Sequence, residues 1–212
     1  MRNRLTIGVM VLGLLLVGPA ALAARVEDDL DGGAVGGSDA QSGRTSLNRT
    51  TDGLVAVGQP APEFTLPDAA GRAVSLKTFR GRPLVLYFYP MDDSPGCIKE
   101  ACAFRDDRAR YDSLGVRVVG VSTDDPASHR AFAAKHELPF TLLADTTGTV
   151  VQLYGTGAAV EQEGSKRWIA KRVTYLIDAE GVIRQVWPRV NPVGHSDQIL
   201  AAWEQLAPRK VR

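Results

Sequence analysis

Cys97 and Cys102 are the two cysteines of a 212-residue chain, set five positions apart in the segment "DDSPGCIKEACAF". A pair of thiols can form a cross-link, hold a metal, or act as a nucleophile and its redox partner. Ser94-Pro95 reads as a helix start, with Ser94 at the N-cap and Pro95 at the first helical position. Cys97 then lies in the first turn, where unpaired backbone N–H groups and the positive end of the helix dipole favour a thiolate. An ordinary thiol, with a pKa near 8.5, is only a few per cent ionised at neutral pH. One pKa unit requires about 1.4 kcal/mol, whereas a helix end supplies up to about 1 kcal/mol. A positive side chain is therefore needed as well, the more so because Asp92 and Asp93 lie just upstream and oppose a negative sulfur.

Five residues along an α-helix place the two Cα atoms roughly 8 to 9 Å apart and on different faces. A disulfide needs less than about 7 Å. The pair must stay reduced while the helix is intact, or close by unwinding a turn or more. A static bridge around so short a loop would add little restraint to the unfolded chain. The three histidines, His129, His136 and His195, show no ligand spacing relative to the cysteines, so neither zinc nor another cofactor is expected.

The elements that would position these residues can be read around them. "PLVLYFY" (83–89) is a continuous apolar and aromatic run bounded by prolines, the pattern of a central buried strand. Helical spacing runs from 95 to 114, "VRVVGVS" (116–122) is a second buried strand, and a helix with Pro126 in its first turn extends to His136. "FTLLAD" (140–145) adds a strand, and "VTYLIDAEGVIRQVW" (173–187) a hairpin over Asp178 to Gly181. A small hairpin precedes them at 64–76, and a last helix runs from about Ser196 to Leu206. Strands alternating with helices, then a terminal hairpin and helix, predict an α/β layered fold with a sheet of mixed direction.

The composition is that of an ordinary globular protein, 44% hydrophobic and 23% charged, with 25 Lys and Arg against 24 Asp and Glu. This balance argues against a nucleic-acid partner, and the basic run Lys166, Arg167, Lys171 and Arg172 reads as a solvated loop. At the N-terminus, Arg2 and Arg4 precede an apolar run from Leu5 to Val17 and then Ala21-Leu22-Ala23, the pattern of a secretory signal peptide over residues 1–23. The run is shorter than the ~20 residues of a membrane span, so stable membrane insertion after cleavage is not expected. Its removal takes away two arginines and no acid, moving the formal charge from +1 to −1. A periplasmic, more generally extracytoplasmic, location follows, where thiols tend to be oxidised. Residues 24–53, rich in Gly, Ser, Asp and Thr, read as a disordered tether. The domain spans 54–208, with a basic tail at 209–212.

"FYPMDDSPGCIKEACAFRD" resembles the active-site segment of the peroxiredoxins, in particular the bacterioferritin comigratory protein or peroxiredoxin Q subfamily. The resemblance extends over about 57–206 and includes "VGQPAPEFTLPD", "GVSTDDPASHRAFAAKHELPFTLLAD" and "VGHSDQIL". It implies a thioredoxin-like fold and a thiol-dependent peroxidase. By this resemblance Cys97 is the peroxidatic cysteine that attacks a hydroperoxide, Ser94 hydrogen-bonds the peroxide, and Pro90 shields the thiolate. Arg172 is the active-site cation, Cys102 the resolving cysteine, and a thioredoxin-like dithiol the reductant. Glu100 stands where an acid orients such an arginine, and read from the residues alone it is equally an exposed helix residue. The subfamily resemblance also implies a monomer or weak dimer.

Three departures stand out. Met91 replaces a common lysine, Ser94 replaces the usual threonine, and the aromatic and basic pattern usual before the arginine is largely absent from 154–172. These bear on reductant docking and peroxide preference. Trp168 in that stretch reads as a residue packed under a loop, with reductant docking as the alternative. Two other classes remain: a thiol-disulfide oxidoreductase acting on protein thiols, which would be expected to carry Cys-x-x-Cys, and a non-enzymatic binding module, which would not need Ser94 and Arg172.

Overall fold

The computed structural model describes residues 47–162 and 164–206. The signal segment, most of the tether and the basic tail lie outside the described residues. Among those described, no helix is long and apolar enough to cross a membrane.

In chain order the elements are β1 (Thr65–Pro67), β2 (Ala73–Ser75), β3 (Leu84–Phe88), α1 (Pro95–Asp106), α2 (Arg108–Ser113), β4 (Arg117–Ser122), α3 (Pro126–Lys135), β5 (Thr141–Ala144), α4 (Thr149–Leu153), β6 (Gly157–Gln162), β7 (Ser165–Ala170), β8 (Val173–Ile177), β9 (Ile183–Trp187) and α5 (His195–Leu206). A five-stranded sheet has the order β5-β4-β3-β8-β9. β3 runs parallel to β4 and antiparallel to β8, β4 is parallel to β5, and β8 is antiparallel to β9. All five residues of β3 are buried, as its uninterrupted apolar sequence requires of a strand covered on both faces. Its side chains alternate between two cores. Leu84, Leu86 and Phe88 join one, whereas Val85, Tyr87 and then Tyr89 join the other, together with Cys97, Ala101 and Phe104 of α1, Phe132 of α3 and Ile199 and Leu200 of α5. The helix carrying both thiols, α3 and the C-terminal helix thus pack on one face of the sheet through a shared apolar layer. β1 and β2 pair antiparallel ahead of this sheet.

The helical stretch expected over 95–114 is two helices, because at Asp107 (φ −87°, ψ 8°) the chain turns out of α1 and starts α2. Residues 47–53, read as the end of a disordered tether, lie on the domain. Leu47 packs against the first core, Arg49 forms a bridge with Val55, and its guanidinium donates to the carbonyls of Gly53 (2.7 Å) and Leu153 (3.0 Å). The basic run is not a solvated loop either. Lys166 and Arg167 lie on β7, which pairs with β6 as a hairpin, while the Arg172 side chain is only 16% exposed. Trp168 is a packing residue, on this strand rather than under a loop, and lies against the first core. Gly148, at φ 71° ahead of α4, would carry any Cβ to within 2.4 Å of the Trp168 Cβ, so only glycine fits beneath the indole.

Candidate active site

The site begins where β3 ends. Phe88 pairs with Val121 on one side and Val173 on the other, so Arg172, one residue before Val173, arrives level with Tyr89 and the loop into α1. Pro90, half-buried, terminates the strand, and Ser94 is the N-cap of α1 with Pro95 at its first position. The Ser94 hydroxyl does not cap the helix as expected of a serine there. It donates instead to the Met91 carbonyl at 3.2 Å, and no side-chain cap bond is made. The first-turn N–H groups therefore have no side-chain acceptor and remain directed at whatever anion sits at the helix start.

Cys97, third in the helix, is 1% exposed. Arg172 Nη2 donates to its Sγ at 3.1 Å, and Arg172 Nη1 is paired with Glu100 Oε2. Cys97 and Glu100 are three residues apart and so share a helix face, and one guanidinium spans both. The cation that the sequence required is thus supplied by the residue just ahead of β8, 75 positions away. Glu100 is itself 1% exposed, which removes the reading of it as an exposed helix residue. The two upstream acids are drawn off elsewhere: Asp93 pairs with Lys135 and His136, which hold its carboxyl below the usual range, and Asp92 is enclosed in a network with His129. Cys102 is half-buried on the same unbroken helix, and both cysteines are free thiols.

Gly96 is where the guanidinium lies against α1. A Cβ there would stand 3.0 Å from Arg172 Nη2 and 3.7 Å from Pro192 Cγ, and the pairing with Glu100 and Cys97 leaves the arginine little freedom to yield. Gly96→Ala is expected to slow Cys97 oxidation about tenfold by moving the guanidinium off the sulfur, tenfold being about 1.4 kcal/mol. Stopped-flow oxidation rates check this, and an unchanged rate constant would show that the close approach is immaterial.

Burial raises the Glu100 carboxyl to about 7 against the pull of Arg172, and leaves Oε1 without a partner. Arg172 stays a firm cation: burial opposes its charge, but Glu100 and the Cys97 sulfur outweigh it. His195 lies against the same wall, 1% exposed, with Nε2 at 2.9 Å from Thr174 Oγ1 and its ring between Phe104 and Trp187. Burial, with some help from the Arg172 charge, lowers it to about 4. Nothing in the sequence marked His195 as part of this layer.

These two groups have opposite linkage. Glu100, raised from 4.5 to about 7, stabilises the fold most below pH 4.5, and that contribution is lost as pH rises through 7. His195, lowered from 6.5 to about 4, contributes fully above pH 6.5 and loses it as pH falls through 4. Between pH 4.5 and 6.5 the slopes cancel. Glu100→Gln removes one of them, so urea unfolding of that variant should lose about 2 kcal/mol more than the parent on going from pH 6.5 to 4.5. A parent-like profile would contradict the assignment.

A helix-start cysteine held by an Arg–Glu pair, on a mixed five-stranded sheet flanked by helices, defines a thiol-based oxidoreductase of thioredoxin-like fold. Residues 57–186 match the AhpC/TSA family. The chain belongs to that family and is a peroxiredoxin, a thiol peroxidase of the peroxiredoxin Q and bacterioferritin comigratory protein group. It is 46% identical over 146 residues to a putative peroxiredoxin bcp of Coxiella burnetii, covering 69% of this chain and 97% of that one. It is 43% identical over 163 residues to the chloroplastic peroxiredoxin Q of Oryza sativa subsp. japonica, covering 76% and 73%. Among solved structures, peroxidoxin BcpB of Mycobacterium tuberculosis matches with a TM-score of 0.66 at 31% identity, over 72% of this chain and 98% of that one. The bacterioferritin comigratory protein of Xanthomonas campestris, described for its alkyl peroxide reduction, matches with a TM-score of 0.63 at 31% identity, over 68% and 92%.

Proposed function

We propose that the protein reduces hydrogen peroxide and organic hydroperoxides through Cys97 and Cys102, outside the cytoplasm. The observation that carries this reading is the Arg172 guanidinium shared between the Cys97 sulfur at 3.1 Å and buried Glu100. The Cys97 thiolate attacks one peroxide oxygen, the O–O bond breaks, and the alkoxide or hydroxide leaves with a proton as alcohol or water. The sulfur is left as sulfenic acid. The Cys102 thiol displaces hydroxide from that sulfur, giving water and the Cys97–Cys102 disulfide, which a thioredoxin-like dithiol then reduces by exchange. Ser94 hydrogen-bonds the peroxide and Pro90 covers the sulfur. The disulfide needs the two Cα atoms within about 7 Å, so the first turns of α1 unwind in every cycle. The protein serves antioxidant defence, and its reductant is a secreted or membrane-tethered dithiol carrier.

One equivalent of hydrogen peroxide added to the reduced protein should consume both thiols within seconds and give a Cys97–Cys102 linked peptide. If the protein ignores peroxide but reduces insulin disulfides, the thiol-disulfide oxidoreductase reading replaces this one. N-terminal sequencing of the mature chain, starting after Ala23, checks the location.

A further inference from the structure

Asp92 sits in the loop between β3 and α1, 7% exposed, beneath a set of bonds that the chemistry above does not use. Its Oδ1 accepts from the Tyr89 hydroxyl at 2.8 Å. Its Oδ2 accepts from Ser128 Oγ at 2.7 Å and lies 2.9 Å from Nδ1 of His129, which is fully buried. With Nε2 buried and without a partner, the ring proton belongs on Nδ1, where it donates to the carboxylate. The Asp92 backbone N–H donates to Asp124 Oδ2 at 2.8 Å, and the Ser122 hydroxyl donates to the same oxygen at 2.6 Å. Asp92, Asp124 and His129 offer ligand atoms within 4.8 Å of one another, yet both Asp92 oxygens already hold protein donors, so the cluster is a closed hydrogen-bond network rather than an ion site.

Three of these partners matter for motion, because Ser128 and His129 belong to α3 and Asp124 leads into it. Two further ties reach α3 from the same region. Asp93, in the left-handed region at φ 55°, pairs with Lys135 at 2.9 Å and His136 at 3.0 Å. Arg105, in the last turn of α1, donates to the His136 carbonyl at 2.8 Å. α3 therefore grips the chain on both sides of the stretch that must unwind to bring Cys97 and Cys102 together. The Asp93 pair is exposed and weak. The Asp92 network is buried and charge-assisted, so it is the strong tie at the upstream end. Ser94, the N-cap of α1, is two residues from it, and the helix cannot peel from its start until this loop lets go.

We propose that Asp92 and His129 are positioning residues that latch the loop between β3 and α1 onto α3 and thereby set the ratio of disulfide closure to peroxide oxidation. This rests on the Cys97–Cys102 cycle proposed above. With the latch shut, Cys97 stays beside Arg172 and reacts with peroxide. When it releases, the sulfenic acid leaves the pocket and meets Cys102. A tight latch exposes the sulfenic acid longer to a second peroxide and to sulfinic acid formation.

The experiment separates the two steps in the parent, Asp92→Asn and Asp92→Ala. Stopped-flow traces across hydrogen peroxide concentrations give oxidation as the concentration-dependent phase and closure as the independent one, and mass spectrometry gives the Cys97 sulfinic fraction at excess peroxide. Asp92→Ala is expected to raise closure relative to oxidation about tenfold or more and to lower the sulfinic fraction. Asp92→Asn, which keeps the shape and one acceptor oxygen, should lie between it and the parent. If Asp92→Ala does not fold, Ser128→Ala removes one bond of the network and should shift the ratio the same way by a smaller factor. A ratio within twofold of the parent in the folded variants, with the disulfide still forming, overturns the latch alone. Failure of the parent to form the Cys97–Cys102 disulfide overturns the cycle and the latch with it.

Discussion

Arg172→Met is expected to lower the second-order rate constant for Cys97 oxidation by hydrogen peroxide by two to three orders of magnitude. The guanidinium donates directly to the sulfur at 3.1 Å in a site where Cys97 is 1% exposed. Removing one preorganised donor to a reacting atom in such a site typically costs about 3 to 4 kcal/mol of transition-state stabilisation. Methionine keeps much of the length and removes every donor. A second loss follows from Glu100, which is left buried with no cation and drawn further toward its protonated form. Arg172→Lys tests the geometry as distinct from the charge. An ammonium can face the sulfur or Glu100 but lacks the planar fork that spans both, so a fall of about tenfold is expected. Competition for peroxide against a reporter peroxidase measures both rates. An Arg172→Met rate within threefold of the parent would show that the cation contributes nothing to the reaction.

Cys102→Ser should divide the cycle at its middle. Oxidation of Cys97 is expected to stay within about threefold of the parent, because Cys102 lies on another face of α1, roughly 8 to 9 Å away between Cα atoms. Turnover with a thioredoxin-type dithiol should fall by at least a hundredfold, since no thiol in the chain can then condense with the sulfenic acid. Dimedone should trap that acid on Cys97 in the variant and label the parent only fleetingly. At excess peroxide the variant should pass to sulfinic acid. Full turnover by Cys102→Ser would mean that the reductant attacks the sulfenic acid directly and that Cys102 is a bystander. Failure of dimedone to label the variant, with equally slow oxidation of the parent, would remove the peroxidase reading of Cys97 altogether.

The parts of this arrangement differ in how far the sequence disclosed them. β3 was legible because a buried strand leaves an uninterrupted apolar run, and Cys97 at a helix start because Ser94 and Pro95 are local signals. Arg172 was reachable only through family resemblance: a partner 75 residues away has no spacing to read. Glu100 stood open between an exposed helix residue and the acid that orients the arginine, and only the packing of α1, which buries it against Arg172, removes the first. Asp92 and Asp93 are chemically identical neighbours, yet one is buried on His129 and the other exposed on Lys135. Composition cannot separate them, because the difference lies in the turn at φ 55° on Asp93. The β6–β7 hairpin was missed because Gly157, Ala158 and Ala159 give it little alternating contrast. The break at Asp107 was missed because helical periodicity continues across it.

That hairpin has a use of its own. Its base is closed by the bond from the Lys171 N–H to the Thr156 carbonyl at 2.7 Å and by the Gly157–Ala170 pair, while the place of Arg172 comes from β8 pairing with β3. Anything added at the far end, between Gln162 and Ser165, lies beyond the packed Trp168, next to the exposed residues Ser165 to Arg167, on a hairpin whose root is already tied off. A fluorescent label or affinity peptide grafted there should travel with the enzyme and leave its reaction with peroxide unaltered.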